Sequence, residues 1–239
     1  MLGPQASPPI LQSIQVGGPR SYGFEGAVDT HDKPWTTGFF KTRIEGPVFV
    51  GTTNLVGDGQ ADLENHGGID KAVLAYSADH YPHWREELHM PDMPYGAFGE
   101  NLTIAGLSEK LVCIGDIFLI GEVIFEVSQP RQPCWKLARR WRMHELTGLV
   151  VRNGRSGWYL RVVEQGWIET QLPVTLIERP NPAWSIARAN EIMYRHRTDL
   201  YLTLELANVP RLADSWVEEL RVRAKSLHPP VAESPPFSA

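Results

Sequence analysis

Residues 128–137 read Ser-Gln-Pro-Arg-Gln-Pro-Cys-Trp-Lys-Leu, and the predicted elements around them lead into or out of this stretch. A β-rich run from Asp116 to Val127 predicts a hairpin that enters it, with Gly121-Glu122 as a two-residue type II′ turn. A short helix is predicted from Trp135 to Trp141. Because Pro130 and Pro133 lack an N–H donor, the backbone between strand and helix is expected to join no strand ladder.

Cys134 is the residue of this stretch best suited to chemistry. It follows Pro133 at the predicted start of a helix, where unpaired N–H groups and the helix dipole favour an anion. Arg131 and Lys136 add positive charge, so the surroundings favour the thiolate. Most free cysteines are buried and inert. The prolines and the cations nevertheless favour a reactive or metal-ligating Cys134.

Cys113 offers a comparison within the same chain. It lies in the apolar run Leu111–Ile114 and is predicted to be a core residue. The two cysteines lack the C-x-x-C spacing of a zinc site. A single disulfide between them would not make a disulfide scaffold. Two cysteines without a framework fit a reducing cytoplasm.

The composition is that of an ordinary globular protein, with 239 residues, 42% hydrophobic and 21% charged. This length suits one large domain, or one domain and a smaller one. The net charge of −5 argues against a duplex nucleic-acid partner. No apolar run approaches the length of a membrane span, and residues 1–9 lack the features of a secretory signal. A cytoplasmic protein without a membrane partner is predicted.

The first part of the chain predicts short strands. Ile10–Val16 alternates and is expected to form the first strand. Phe39–Ile44 is predicted as a strand that presents Lys41 and Arg43 on one side, although a solvated face would show the same pattern. After a break at Gly46-Pro47, another short strand is expected at Val48–Val50.

Residues 54–73 are polar, rich in glycine and too long for a simple turn. Gly67 and Gly68 would let the backbone approach a ligand or turn its N–H groups inward. His66 and Lys71 flank them with a titratable ring and a cation, a set that would satisfy a phosphate or similar anion. The alternative is an ordinary loop with a tight Gly-Gly turn.

A helix is predicted after this loop, capped by Asp79 with Pro82 in its first turn. His80 and His83 lie on it without a carboxylate or cysteine at ligand spacing, so both are predicted to be surface residues.

A second glycine-punctuated insert follows at residues 95–104. Glu100 and Asn101, if buried there, would need hydrogen-bond partners. They are therefore either groups that staple the loop or contacts to a ligand.

The rest of the chain predicts two different units. Strands at 157–163 and 172–178 extend the earlier series to an antiparallel barrel or sandwich over residues 1–180. Three helices follow, at 186–197 with Ser185 as its cap, from the Asp199 cap to Leu206, and at 211–227 with one apolar stripe. They predict a small helical domain at 183–228, and residues 229–239 are expected to form a flexible tail.

Four stretches together resemble the YiiM-like branch of the MOSC proteins, a family named after the C-terminal domain of molybdenum cofactor sulfurase. They are Gly-Asp-Gly-Gln-Ala-Asp at 57–62, His-Gly-Gly-x-x-Lys-Ala-Val at 66–73, Phe-Gly-Glu-Asn-Leu-Thr at 98–103, and Ser-Gln-Pro-Arg-x-Pro-Cys-x-Lys-Leu at 128–137. The helical C-terminus resembles the extension of that branch. The resemblance spans nearly everything from Phe39 to Leu227 and implies a mainly β protein, a MOSC-type β-barrel followed by a small three-helix domain.

The resemblance also implies a site for the molybdenum cofactor (molybdopterin), with Cys134 as the thiolate ligand of the metal. The residues expected to contact the cofactor are Lys41, Arg43, Asn65, His66, Gly67, Gly68, Lys71, Asn101, Arg131 and Cys134. Relatives are linked to the reduction of N-hydroxylated base analogues such as 6-hydroxylaminopurine. A small-molecule N-hydroxylated substrate and a separate electron-donor protein, a flavoprotein or similar, are therefore the expected partners, and a homodimer stays open. His66 and Glu100 are the candidate proton donors.

Three hypotheses follow from these observations. The first is a molybdenum-dependent oxidoreductase that reduces N-hydroxylated compounds. The second is a cofactor carrier or sulfur-transfer module, in which Cys134 bears a persulfide and the protein has no turnover of its own. The third is a metal-free cysteine hydrolase that uses Cys134 with His66 as base, and no further signature supports it.

Overall fold

A computed structural model describes residues 8–227, apart from the side chain of Asn65. The strands are β1 (Ile10–Val16), β2 (Arg20–Tyr22), β3 (Trp35–Thr37), β4 (Thr42–Arg43), β5 (Val48–Val50), β6 (Val73–Ser77), β7 (Leu102–Ala105), β8 (Ile117–Ile120), β9 (Val123–Pro130), β10 (Trp158–Glu164), β11 (Gly166–Ile168) and β12 (Thr175–Glu178). The helices are α1 (Leu63–His66), α2 (Tyr81–Glu87), α3 (Trp135–Trp141), α4 (Leu146–Asn153), α5 (Ile186–Tyr194), α6 (Leu200–Ala207) and α7 (Asp214–Leu227), with 3₁₀ helices at Ile69–Lys71 and Ala78–His80.

One curled sheet of eight strands forms the centre of the fold, in the order β12-β8-β9-β10-β6-β7-β1-β4. Backbone hydrogen bonds from Leu11 to Leu172 and from Val174 to Pro9 bring the segment before β12 against β1, so the sheet curls into a half-barrel. The predicted β-barrel class with helices at the C-terminus is confirmed. The sheet is not wholly antiparallel, because β6 and β7 pair in parallel.

The hairpin that leads to Cys134 is confirmed. Ile120 pairs with Val123, and Gly121 between them has a φ of 59°, as the first position of a type II′ turn requires. β9 continues to Pro130, which pairs with Trp158 of β10, so the prediction that this proline joins no ladder is wrong. Proline is tolerated there because the strand ends at that residue and no interior N–H bond is lost.

The strand expected at Phe39–Ile44 is reduced to the two residues of β4. The N–H of Lys41 donates to the carbonyl of Phe39, and this tight turn interrupts the strand. The Lys41 side chain is 7% exposed, whereas that of Arg43 is 56% exposed. The two cations do not share one environment, so that prediction is wrong.

The start of α2 also differs from the prediction. Ser77 caps the preceding 3₁₀ helix by accepting from the N–H of Asp79, so Asp79 lies inside the helical segment and is not its cap. His80 is not a surface residue, since its ring lies 2.6 Å from the Glu109 carboxylate and its side chain is 14% exposed. His83 is exposed, as predicted.

The helix α4 was not predicted, because the residues after Trp141 show little helical propensity. Its middle holds Gly148 followed by Val150 and Val151, and glycine and β-branched residues disfavour helices. Leu146 and Val150 are fully buried in a cluster with Leu137 of α3, so packing against the rest of the protein fixes this helix.

The three C-terminal helices and their caps are confirmed. Ser185 accepts from the N–H of Arg188, and Asp199 accepts from that of Leu202. On α7 the predicted apolar stripe is buried, with Trp216 only 1% exposed. α5 ends at Tyr194, earlier than expected. The flexible tail predicted at 229–239 lies outside the described residues.

The helical part and the sheet share one hydrophobic core. The same cluster contains Phe125 of β9, Ile186 of α5 and Trp216 of α7. The residue just before α7 also contacts the stretch around Cys134, since the N–H of Ala213 donates to the carbonyl of Ser128. The domain boundaries at 180 and 183 stay predictions, and across them the packing is continuous.

This packing makes a test of α7. Replacing Trp216 by alanine should leave a large cavity between helix and sheet and lower the free energy of unfolding by about 3–5 kcal/mol. Val222→Ala on the same helix is the control, because Val222 is 62% exposed and the change should stay within about 0.5 kcal/mol. Urea denaturation measures both, and equal losses would contradict the shared core.

Candidate functional site

A solvent-open pocket lies between three segments, which are the residues before β4, the residues around α1 and the stretch after β9. Six residues predicted from the sequence line it: Lys41, His66, Lys71, Asn101, Arg131 and Cys134. Four further lining residues carry charge or an aromatic ring: Phe39, Asp62, Lys136 and Tyr159. Segments far apart in the sequence therefore bring cations and a thiol into one cavity.

The other predicted site residues lie elsewhere. Arg43 is on the surface, with its guanidinium 3.0 Å from the carboxylate of Glu45. Glu100, Gly67 and Gly68 do not line the pocket. The side chain of Asn65 lies outside the described part of the structure, although its backbone belongs to α1. The roles of all these residues in binding or catalysis stay predictions.

Cys134 stands at the N-cap of α3, half-buried and with extended backbone (φ −105°, ψ 166°). Its side chain makes no capping hydrogen bond, so the thiol is left to the pocket. Cys113 is 3% exposed, and burial, with Asp116 adding to it, raises the pKa of its thiol. Both cysteines are free. The predicted contrast between a core cysteine and a pocket cysteine holds for their positions.

Arg131 brings a buried cation to the pocket wall. The residue is 3% exposed, its N–H donates to Gly157, and its Nη2 donates to the carbonyl of Phe98 over 3.2 Å. Its Nη1 is buried and has no hydrogen-bond partner. A buried donor without a partner costs about 1–3 kcal/mol, and more when charged, so this nitrogen suits an anionic ligand.

Lys41 is partly neutralised before any ligand binds. Its ammonium forms an ion pair with Asp58, whose side chain is 0% exposed and also accepts from the N–H of Gly17 over 2.9 Å. Burial lowers the pKa of Lys41, and the Asp58 carboxylate opposes that shift. Asp58 lies in one of the resembling stretches but was not singled out, because only the fold shows that it faces Lys41.

Burial and the surrounding charges shift the pKa values of both His66 and Lys71. Burial lowers the pKa of Lys71, with Asp70 and Asp62 opposing. Burial is also the largest cause that lowers the pKa of His66, followed by the charge of Lys136, while Asp62 opposes. His66 is therefore a neutral ring at neutral pH, able to donate one hydrogen bond and accept another.

Gly67 and Gly68 shape the chain between these two residues. A side chain at Gly67 would place its Cβ 2.7 Å from the carbonyl oxygen of Leu63, and Gly68 has a φ of 91°. Both positions require glycine for the turn from α1 into the next 3₁₀ helix. This turn puts His66 at one end and Lys71 at the other.

Glu100 staples its own loop. Its buried carboxylate accepts from the Tyr81 hydroxyl, from the N–H groups of Gly96 (2.7 Å) and Phe98 (3.1 Å), and from Thr103 Oγ1 (3.0 Å). Of the two roles considered for this residue, these contacts match the structural one.

Asn101 serves the backbone while it lines the pocket. Its Oδ1 accepts from the N–H of Leu74 over 3.1 Å, and its Nδ2 donates to the carbonyl of Gln15 over 3.3 Å. It thereby ties β6 and β1 together beside the cavity.

Tyr159 is a pocket residue that sequence reasoning missed. Burial raises its pKa to about 12, with Arg131 opposing and Cys134 adding to the shift. Its strand was predicted, and the alternation with buried Trp158 and Leu160 points Tyr159 to the other face of the sheet. Loops that are distant in the sequence cover that face. The pattern of one strand cannot predict which loops these are.

Comparison with known proteins agrees with this architecture. The MOSC domain profile matches residues 62–175, and the profile of the YiiM-like, 3-alpha helix domain matches residues 184–223. YflK of Bacillus subtilis is 41% identical over 85% of this chain and 89% of its own length. The chain belongs to the MOSC family. Within this MOSC protein, Lys41 and Asp58 precede the matched domain segment, so the pocket extends beyond it.

One solved structure and one further relative are also similar to this chain. The crystal structure of YiiM from Geobacillus stearothermophilus superposes with a TM-score of 0.75 at 36% identity, over 91% of this chain and all of that one (100%). A protein of Gibberella moniliformis named Reductase is 34% identical over 93% of this MOSC protein, which spans 39% of that relative. Within residues 8–227, no helix has both the length and the apolar character needed to cross a membrane.

The stapling role of Glu100 can be tested by Glu100→Gln. The amide keeps the size of the carboxylate but accepts fewer hydrogen bonds and turns an NH₂ group toward other donors, so we expect a loss of about 2–4 kcal/mol in unfolding free energy. Glu169→Gln is the control, because Glu169 is exposed. Similar urea midpoints for the two variants would contradict the role.

The lowered pKa of His66 predicts a pH effect on stability. The unfolded chain, with a His pKa of about 6.5, binds more protons than the folded one between the two pKa values. The free energy of unfolding should thus fall as the pH drops through about 6.5 toward the folded-state pKa. His66→Gln should flatten this part of the profile, and His83→Gln, at an exposed site, should not. A wild-type slope in His66→Gln would refute the assignment.

Proposed function

We propose that this MOSC protein holds the molybdenum cofactor in the pocket beside Cys134 and reduces N-hydroxylated bases or related small molecules. One observation carries the proposal. A half-buried thiol without a capping bond lines the same cavity as Arg131, whose buried Nη1 has no partner, and as the cations Lys71 and Lys136. A soft ligand and an anion site are thus adjacent.

The residues present fit the two ends of such a cofactor. A cysteine thiolate is a soft ligand and suits a metal of this kind. The terminal phosphate would be held by Arg131, with its fork of donors, and by Lys71 and Lys41. Anion binding would also offset the burial of these cations, whose cost the free pocket compensates only in part.

Bound there, the cofactor would supply the two electrons that cleave the N–O bond. The net reaction takes an N-hydroxylamine, two electrons and two protons to the amine and water. The electrons would come from a separate donor, a flavoprotein or similar. The relative named Reductase supports this reaction class.

His66 is the better of the two proton-donor candidates. Glu100 is engaged by its own loop and does not line the pocket, whereas His66 does. A bound anion would raise the pKa of His66, since burial and nearby cations now lower it. The ring could then hold a proton close to the leaving hydroxyl group.

The two other hypotheses have less support. A carrier or persulfide role for Cys134 needs the same pocket but no turnover, so the experiment below distinguishes it from the reductase. A cysteine hydrolase needs Cys134 and His66 to act together, and within the described residues no hydrogen bond joins their side chains. We assign the protein to the cytoplasm as part of the same proposal.

Cys134→Ser tests the proposal. Protein made in a host that synthesises the cofactor should carry molybdenum and pterin, and the serine variant should retain at least about tenfold less metal, because a hydroxyl is a poor soft ligand. Cys113→Ser is the matched control and should change stability alone, since Cys113 is buried away from the pocket. Equal metal content in wild type and Cys134→Ser would refute the ligand assignment.

Wild type and Cys134→Ser also distinguish the reductase hypothesis from the carrier hypothesis. With reduced methyl viologen as donor, the wild type should convert 6-hydroxylaminopurine to adenine, and Cys134→Ser should not. A metal-loaded wild type that forms no adenine above the Cys134→Ser background would favour the carrier.

A further inference from the structure

An aromatic platform, formed by Trp35, Trp135 and Arg139, lies on the surface next to the pocket. The two indole rings have centroids 5.7 Å apart at 47°. The Arg139 guanidinium lies 4.7 Å from the Trp35 centroid and 5.5 Å from that of Trp135. Trp135 is 56% exposed, so much of its ring faces solvent.

Hydrogen bonds to the backbone and packing against Phe40 hold the platform in place. Arg139 donates from Nε to the carbonyl of His31 over 3.1 Å and from Nη2 to that of Lys33. Trp35 sits in β3 and packs edge-on against Phe40 at 6.0 Å. The guanidinium is thus fixed by backbone oxygens, and the exposed ring of Trp135 is presented on a rigid support.

The platform continues directly into the pocket. Cys134 and Lys136, on either side of Trp135, both line the cavity, as does Thr37 at the end of β3. The Lys136 ammonium lies 6.0 Å from the Trp135 ring centroid. One side chain therefore belongs to the pocket wall and also contacts the platform.

We propose that the platform binds the planar, fused nitrogen heterocycle of the substrate, by stacking on Trp135. This inference rests on the proposed function and adds to it one residue, Trp135, that would select planar bases over saturated hydroxylamines. Every base offers a π-face that stacks on an aromatic ring, and a neighbouring cation strengthens such contacts. A base stacked on Trp135 would lie beside the cavity that Cys134 and Lys136 line. The pterin ring of a cofactor has similar chemistry, so the experiment separates the two sources.

The test is calorimetric titration of adenine into the full-length protein prepared without molybdenum. We expect Trp135→Ala to weaken adenine binding about tenfold, in line with the loss of one base–aromatic stack. Trp135→Phe should restore affinity to within about threefold, because a smaller ring still stacks. Trp167→Ala is the matched control, since Trp167 is 50% exposed and contacts Phe49, and should not change adenine binding.

Two outcomes would overturn the inference. In the first, Trp135→Ala binds adenine as Trp167→Ala does, or the wild type binds none. In the second, Trp135→Ala purified from a cofactor-competent host loses pterin while its adenine affinity is unchanged, which would assign the platform to the cofactor. Thermal midpoints of the variants check folding. Because adenine binding is measured without metal, it is readable whether or not turnover is found.

Discussion

The buried guanidinium of Arg131 connects the parts on which the pocket depends. Arg131 follows the end of β9, its backbone N–H donates to the carbonyl of Gly157 before β10, and its Nη2 donates to the carbonyl of Phe98 in the loop that Glu100 staples. A buried cation must be compensated by hydrogen bonds or by an opposite charge. Here the buried Nη1 has no hydrogen-bond partner. The fold therefore holds Arg131 in a state that an anion would complete.

Burial also shifts the pKa values of other titratable groups of the pocket. Burial lowers the pKa of Lys41, Lys71 and His66, and for His66 the charges of Lys136, Lys71 and Arg131 push in the same direction. For Lys41 and Lys71, the lowered pKa reflects the free-energy cost of burying the charged form. A ligand that binds only the folded state returns part of it as stability. The proposed anion would therefore stabilise the folded protein by offsetting the cost of burying these cations.

Sequence reasoning succeeded where local chemistry decides the structure. Gly121 marks the hairpin turn, and Ser185 and Asp199 start their helices through bonds to residues three positions on. It failed where a distant segment decides. Lys41 leaves its predicted strand face to pair with Asp58, and α4 forms because Leu146 has a buried site to fill. No pattern within either segment contains those partners.

The residues of the candidate site also fall into two groups, those that sequence motifs identified and those that only the fold reveals. Motifs identified the thiol of Cys134 and several cations that do line one cavity, because resemblance carries information about residues that lie together. Tyr159 and Asp58 went unassigned, since only the folded chain shows which side chains face inward. Arg43 lies on the surface beside Glu45, and its role in binding stays a prediction. Glu100 was a fair candidate by type, yet its four donors commit it to its own loop.

The C-terminal helices complete the support of the stretch around Cys134. Gln132, a pocket residue, donates to Glu219 of α7 over 2.9 Å, and Ser215 of the same helix donates to Gln129 over 3.2 Å. On the opposite side, Ser128 donates to the carbonyl of Asp70, next to Lys71. The stretch is thereby hydrogen-bonded both to the appended helices and to the loop that carries His66 and Lys71. None of the described residues of these helices lines the pocket, yet their hydrogen bonds help to hold the stretch from which Arg131 and Cys134 project.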